Sequence, residues 1–233
     1  MPDNTIFENH TNSEARTSVL IQKWGGLASF LMAVTFIVPL LIYLTGNLRD
    51  AMGPFSYNLA DFLYGPVWAA SLVTAFIALR ERMGDLAPRR MNLAFIAALA
   101  AGGAFILVAC IRSANRHYHL IHPELHLETS TTVLVVWTTL VAGVIGAAWH
   151  FLGWGLVLVG SAGWTSRRLP RILSVLYFAA GTVSLFVYLL PDIEGSAVAL
   201  GVGVCVWQGI LLWKTGTGQT QMSGTNASQP DQA

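Results

Sequence analysis

Polar and apolar positions separate along this chain into six long apolar runs: Trp24–Leu44, Phe62–Leu79, Met91–Ile111, Thr131–Trp164, Ile172–Pro191 and Gly195–Trp213. None contains Asp, Glu, Lys or Arg. A hydrocarbon core about 30 Å thick is crossed by about 20 apolar residues rising 1.5 Å each. The pattern therefore predicts an all-α integral membrane bundle of six transmembrane helices within residues 24–213. A polar tail, 1–23, precedes it, and a tail over 214–233, rich in Gly, Ser, Thr, Gln and Asn, is expected to stay disordered.

The fourth run is long enough for about 51 Å of helix, so one crossing and two must be weighed. A second crossing needs a turn near His150, yet Ala147-Ala148-Trp149-His150-Phe151 offers no Pro, Asn, Asp or charge. It would also carry Arg167, Arg168 and Arg171 to the opposite face. One long tilted helix is the expectation, with a bend at Gly153 or Gly155.

Charge gives the bundle a direction. Arg16, Lys23, Arg80, Arg82, Arg89, Arg90, Arg167, Arg168, Arg171 and Lys214 fall on one side, and Arg49, Arg112 and Arg116 on the other. Basic residues concentrate in the cytoplasm, so both termini are expected there, in a multi-pass protein of the cell membrane. Hydrophobic residues make up 54% of the chain and charged ones 11%, and the mean hydropathy is +0.57, which makes membrane lipids the first partner. The basic residues form no groove or stripe, so nucleic acid is not expected.

Small residues at four-residue spacing mark helix contacts in lipid, where close backbone approach replaces hydrophobic drive. Ala94, Ala98 and Gly102 form one stripe, Gly143 and Ala147 a second, and Ala197, Gly201, Cys205 and Gly209 a third. Such faces serve contacts within the chain or a homo-oligomer. Cys110 and Cys205 lie inside apolar runs, with no CxxC pair.

Candidate chemistry concentrates between the third and fourth runs. The stretch Ser113–Ser130, expected as a loop, holds His117, His119, His122 and His126 beside Glu124 and Glu128. Imidazole and carboxylate together suit a divalent metal such as zinc. The competing expectation is a short interfacial helix with Leu120, Ile121, Leu125 and Leu127 against the headgroups. Asp61 and Arg112, at the ends of the second and third runs, are candidate ligand-binding residues of an outward vestibule. His150, an ionisable residue at mid-run, is a third.

From Phe151 to Leu190 the chain resembles a family of bacterial multi-pass proteins, the domain of unknown function 4386. The residues that carry the resemblance are Phe151-Leu152-Gly153-Trp154-Gly155 through Gly160, followed by Leu169-Pro170-Arg171. Leu158 stands where the family has proline, and Trp154 is displaced from the usual aromatic position. The resemblance implies a bacterial integral membrane protein of about six helices and supplies no activity. The expectation for function is a non-enzymatic protein that binds a small molecule, an ion or a partner at the vestibule. A membrane-embedded metalloenzyme using the 117–128 stretch and a small secondary transporter are the alternatives.

Overall fold

The computed structural model describes residues 4–44, 54–121 and 131–226, with side chains described over 16–38, at Leu41, and over 55–117 and 135–215. Helix α1 spans Asn4–Leu44. Then α2 (Pro54–Phe62), a π-helical turn (Leu63–Val67) and α3 (Trp68–Met83) run on as one rod, because Phe62 and Trp68 on either side of the turn keep helical angles. Helices α4 (Pro88–Ile121), α5 (Thr131–Ser166), α6 (Arg171–Phe186) and α7 (Glu194–Asn226) follow, the last after a 3₁₀ turn at Pro191–Ile193. Among the described residues every regular element is helical.

Each rod packs on its neighbours in sequence, and α7 returns to α1, which closes the bundle into a ring. Neighbours run antiparallel. A Cβ added at Gly153 would lie 2.8 Å from the Gly181 carbonyl oxygen, and one at Gly181 would lie 2.8 Å from the Gly153 carbonyl oxygen. Gly146 meets Tyr188, and Gly160 meets Tyr177. The tight face of α5 is thus Gly146, Gly153 and Gly160, at heptad spacing. Gly143, with nothing within 4 Å, and Ala147 are exposed, which corrects the stripe expected from the sequence. Spacing selects a face but cannot say which of several small-residue faces finds a partner. The other two stripes face inward, with Ala94, Ala98 and Ala197 at most 1% exposed.

Five helical stretches are long and apolar enough to cross a membrane: Arg16–Val38, Phe55–Met83, Pro88–His117, Val135–Ser166 and Pro191–Thr215. The chain has the build of a multi-pass membrane protein. The fourth apolar run is a single helix of 36 residues. The fifth is shorter than its hydropathy implies. Helix α6 stops at Phe186 after 16 residues, about 24 Å, and a turn over 187–189 follows. Leu190 precedes Pro191 and takes φ −130, ψ 78, as the proline ring disfavours helix in the residue before it.

Helix also outruns the apolar runs. Residues Ser113–Ile121 belong to α4 and not to a loop, since no proline interrupts before Pro123. Helix α1 begins at Asn4, and α7 continues to Asn226 across most of the tail expected to be disordered. Extending an existing helix costs far less than nucleating one, so a membrane-anchored helix propagates into polar sequence.

Inside the ring, Trp68, Trp149, Phe105 and Phe36 form an aromatic core at most 4% exposed. Trp68 meets Phe105 edge-on at 4.6 Å between centroids, Phe105 meets Trp149 at 5.8 Å, and Phe36 stacks along Trp149 at 6.3 Å. Such pairs contribute about 0.5–1.5 kcal/mol each beyond the area they bury.

Candidate functional site

Two ends of the bundle differ in charge. One carries Arg80, Arg82, Arg89, Arg90, Arg167, Arg168, Arg171 and Lys214; the other carries Asp61, Arg112, Arg116, His117 and Glu194 and is called here the histidine end. At the histidine end α2 contributes Asp61 just before the π turn. Pro66 has no N–H to give a regular helix, and its ring crowds the preceding turn, so the backbone widens there. Gly65 lets Ala109 of α4 come into contact at the same level. The close approach seats Asp61 against α4.

Asp61 is 5% exposed and shared by two guanidiniums. Arg116 donates from Nη2 to Asp61 Oδ2 and from Nε to Asn58 Oδ1 at 3.1 Å. Arg112 Nη1 stands 3.7 Å from Asp61 Oδ1, an ion pair too long for a hydrogen bond. The Arg112 side chain is 35% exposed and that of Arg116 26%. Arg112 and Arg116 lie one helical turn apart, which puts both on the α4 face that meets α2.

Across the bundle Glu194, in the first turn of α7, accepts the indole N–H of Trp149 at 3.0 Å. Tyr64, in the π turn, meets the Phe105 ring edge-on at 5.0 Å and the Phe36 ring at 6.0 Å. Among the described residues the Glu194 carboxylate is met by this indole and by no cation. The histidine end thus holds a loosely paired cation, Arg112, and an indole-bound anion, Glu194.

Asp61 and Arg112, singled out from the sequence, come together as an ion pair. His150 does not join them. It is exposed on the outside of α5, and its Nε2 accepts the Trp154 indole N–H at 3.1 Å, one turn along the same helix. His117 is exposed on α4. The side chains of His119, His122, Glu124, His126 and Glu128 lie outside the described residues. Among those described, no three His, Cys, Asp or Glu side chains gather as metal ligands.

Sequence reasoning missed Arg116 as a partner of Asp61, and Glu194 as the acceptor for Trp149. Arg116 carried a signal, being one turn beyond Arg112. Glu194 looked like an ordinary turn acid, since nothing local marks Trp149 as its partner. Gln208 was missed too, although an amide inside an apolar run is a signal in itself. Tyr177 donates its hydroxyl hydrogen to Gln208 Oε1, and both are buried.

No family model, curated protein or solved structure matches the chain.

Proposed function

We propose that the protein is a non-enzymatic, multi-pass protein of the cell membrane that binds a small zwitterionic molecule at the outward-facing end of its bundle. The observation that carries this reading is a pair of opposite charges at one end of the bundle: among the described residues Arg112 is met only by Asp61, at 3.7 Å, and Glu194 only by a neutral indole. A ligand carboxylate meets the partly exposed guanidinium of Arg112, and its ammonium group meets Glu194. Arg116, itself fixed by Asn58, keeps Asp61 engaged, so Arg112 is left for the ligand.

The outward direction rests on charge, because the opposite end gathers ten of the 13 basic residues and basic residues stay inside. Both termini then face the cytoplasm. The resemblance to the domain of unknown function 4386 agrees with a bacterial membrane protein and adds no activity.

The test is a thermal-shift screen of the full chain in detergent against free amino acids, betaines, small carboxylates and small amines. A zwitterion that raises the melting temperature of the wild type, and neither Arg112→Gln nor Glu194→Gln, supports the reading. Stabilisation by carboxylates alone that survives Glu194→Gln, or by no compound, overturns it.

A further inference from the structure

A second feature lies deeper, against the aromatic core itself. A cavity of about 20 Å³ opens between α1, α3, α5, α6 and α7, walled by Phe36, Trp68, Phe76, Trp149, Gly201 and Gln208 among others. Two donors on its lining residues have no partner among the described residues: Trp68 Nε1 and Gln208 Nε2. Trp68 is 0% exposed and Gln208 4%. A buried donor left unmet costs about 1–3 kcal/mol, and inside a bilayer no solvent relieves it.

The lining fixes the chemistry of an occupant. It contains no Asp, Glu, Lys, Arg or His, so a bare ion or a metal would sit uncompensated in a medium of low dielectric constant. Donors without a complementary acceptor call for an acceptor. Gln208 Oε1 is already taken by the Tyr177 hydroxyl. Should the amide stand in the opposite orientation, its nitrogen would donate to Tyr177 and its oxygen would face the cavity, but the Trp68 N–H would need a partner all the same. The volume matches one water-sized group, for which about 10–15 Å³ suffices.

We propose that this cavity is a binding site for one neutral acceptor oxygen, held by the Trp68 indole N–H and the Gln208 amide, in a network that continues through Tyr177. The oxygen is that of a trapped water or the carbonyl oxygen of a small uncharged organic molecule. Either joins α3 to α6 and α7 at a level where the helices otherwise offer apolar contacts.

The experiment uses the full chain in detergent with ¹⁵N-labelled tryptophan. The eight indole signals are resolved by NMR, and the Trp68 signal is identified as the one lost in Trp68→Phe. Water as the source gives a cross-peak between the Trp68 indole proton and a long-lived water. A carbonyl ligand gives no such cross-peak; instead a stoichiometric carbonyl compound extracts from the wild type and is absent from Trp68→Phe. Gln208→Leu also strips the acceptor from Tyr177 and invites misfolding, so Gly201→Ala is the second variant. A Cβ there would meet only Phe36, at 3.8 Å, so the helix accepts it while the cavity shrinks. Loss of the cross-peak or of the compound in Gly201→Ala, with its helical circular dichroism kept and its melting temperature lowered, supports the site. A wild type with neither signal, or one whose signal Gly201→Ala leaves unchanged, overturns it.

Discussion

Arginines at the two ends of the bundle are satisfied in different ways. At the basic end Arg82 donates from Nε and Nη2 to the Arg168 carbonyl oxygen, each at 3.2 Å, and from Nη1 to Thr215 Oγ1 at 2.8 Å. Arg90 likewise donates to Thr165 Oγ1 and to the Ser161 carbonyl oxygen, at 3.0 and 3.3 Å. Arg80 and Arg171 lie over the rings of Phe95 and Trp164. These partners are neutral, so these four guanidiniums tie parts of the bundle together with no ion pair among the described residues. At the histidine end, by contrast, Arg112 and Arg116 converge on one buried carboxylate. The same residue type fixes helix ends at one face and solvates an acid at the other. A difference in partner sets how much depends on each arginine.

The largest effect should follow from removing Arg116. Arg116→Met leaves the buried Asp61 with Arg112 at 3.7 Å as its remaining cation, and breaking such a pair costs about 3–5 kcal/mol. Asp61→Asn should cost less. It strands two guanidiniums that are a quarter to a third exposed and whose long stems reach water. Denaturant unfolding in mild detergent measures both, and an equal loss in the two variants would show that burial of the acid does not dominate this end.

Next in size is Arg82. Its removal in Arg82→Leu costs hydrogen bonds to neutral groups near the end of the bundle, where water replaces the guanidinium, so roughly 1 kcal/mol is expected. The same unfolding assay reads it. A loss as large as that of Arg116→Met would erase the contrast between the ends.

The contrast was only partly legible in the sequence. Long uncharged runs required helices, because a bilayer leaves backbone groups no other partners, and for the same reason the 36-residue α5 follows from the lack of any turn residue near His150. That Asp61 and Arg112 share one end of the bundle was legible from their positions at the ends of successive runs; that they pair was not. Which face of each helix turns inward was not. His150 points out of the bundle while Trp149, its neighbour, points in, and the difference is a rotation of about 100° that hydropathy cannot see when both faces are apolar. Gly143 and Gly146 present the same ambiguity. Boundaries failed where local chemistry overrode hydropathy, at Pro191 for α6 and in the polar sequence that prolongs α4 and α7.

The smallest effect concerns Arg167, and it separates charge from contact at the basic end. Arg167 follows α5 directly and has φ 55, the left-handed conformation that glycine adopts freely and arginine does not. The chain turns there into the short link to α6, and the Arg168 N–H is met by Ser166 Oγ at 3.3 Å. Arg167→Gly should therefore raise stability by about 0.5–1 kcal/mol, the strain of one left-handed residue. Arg167→Lys keeps both the charge and the strain and should leave stability unchanged. Should glycine destabilise while lysine does not, the charge at this position outweighs the backbone, and the basic end would depend on the sign of its residues more than on the bonds that Arg82 and Arg90 make.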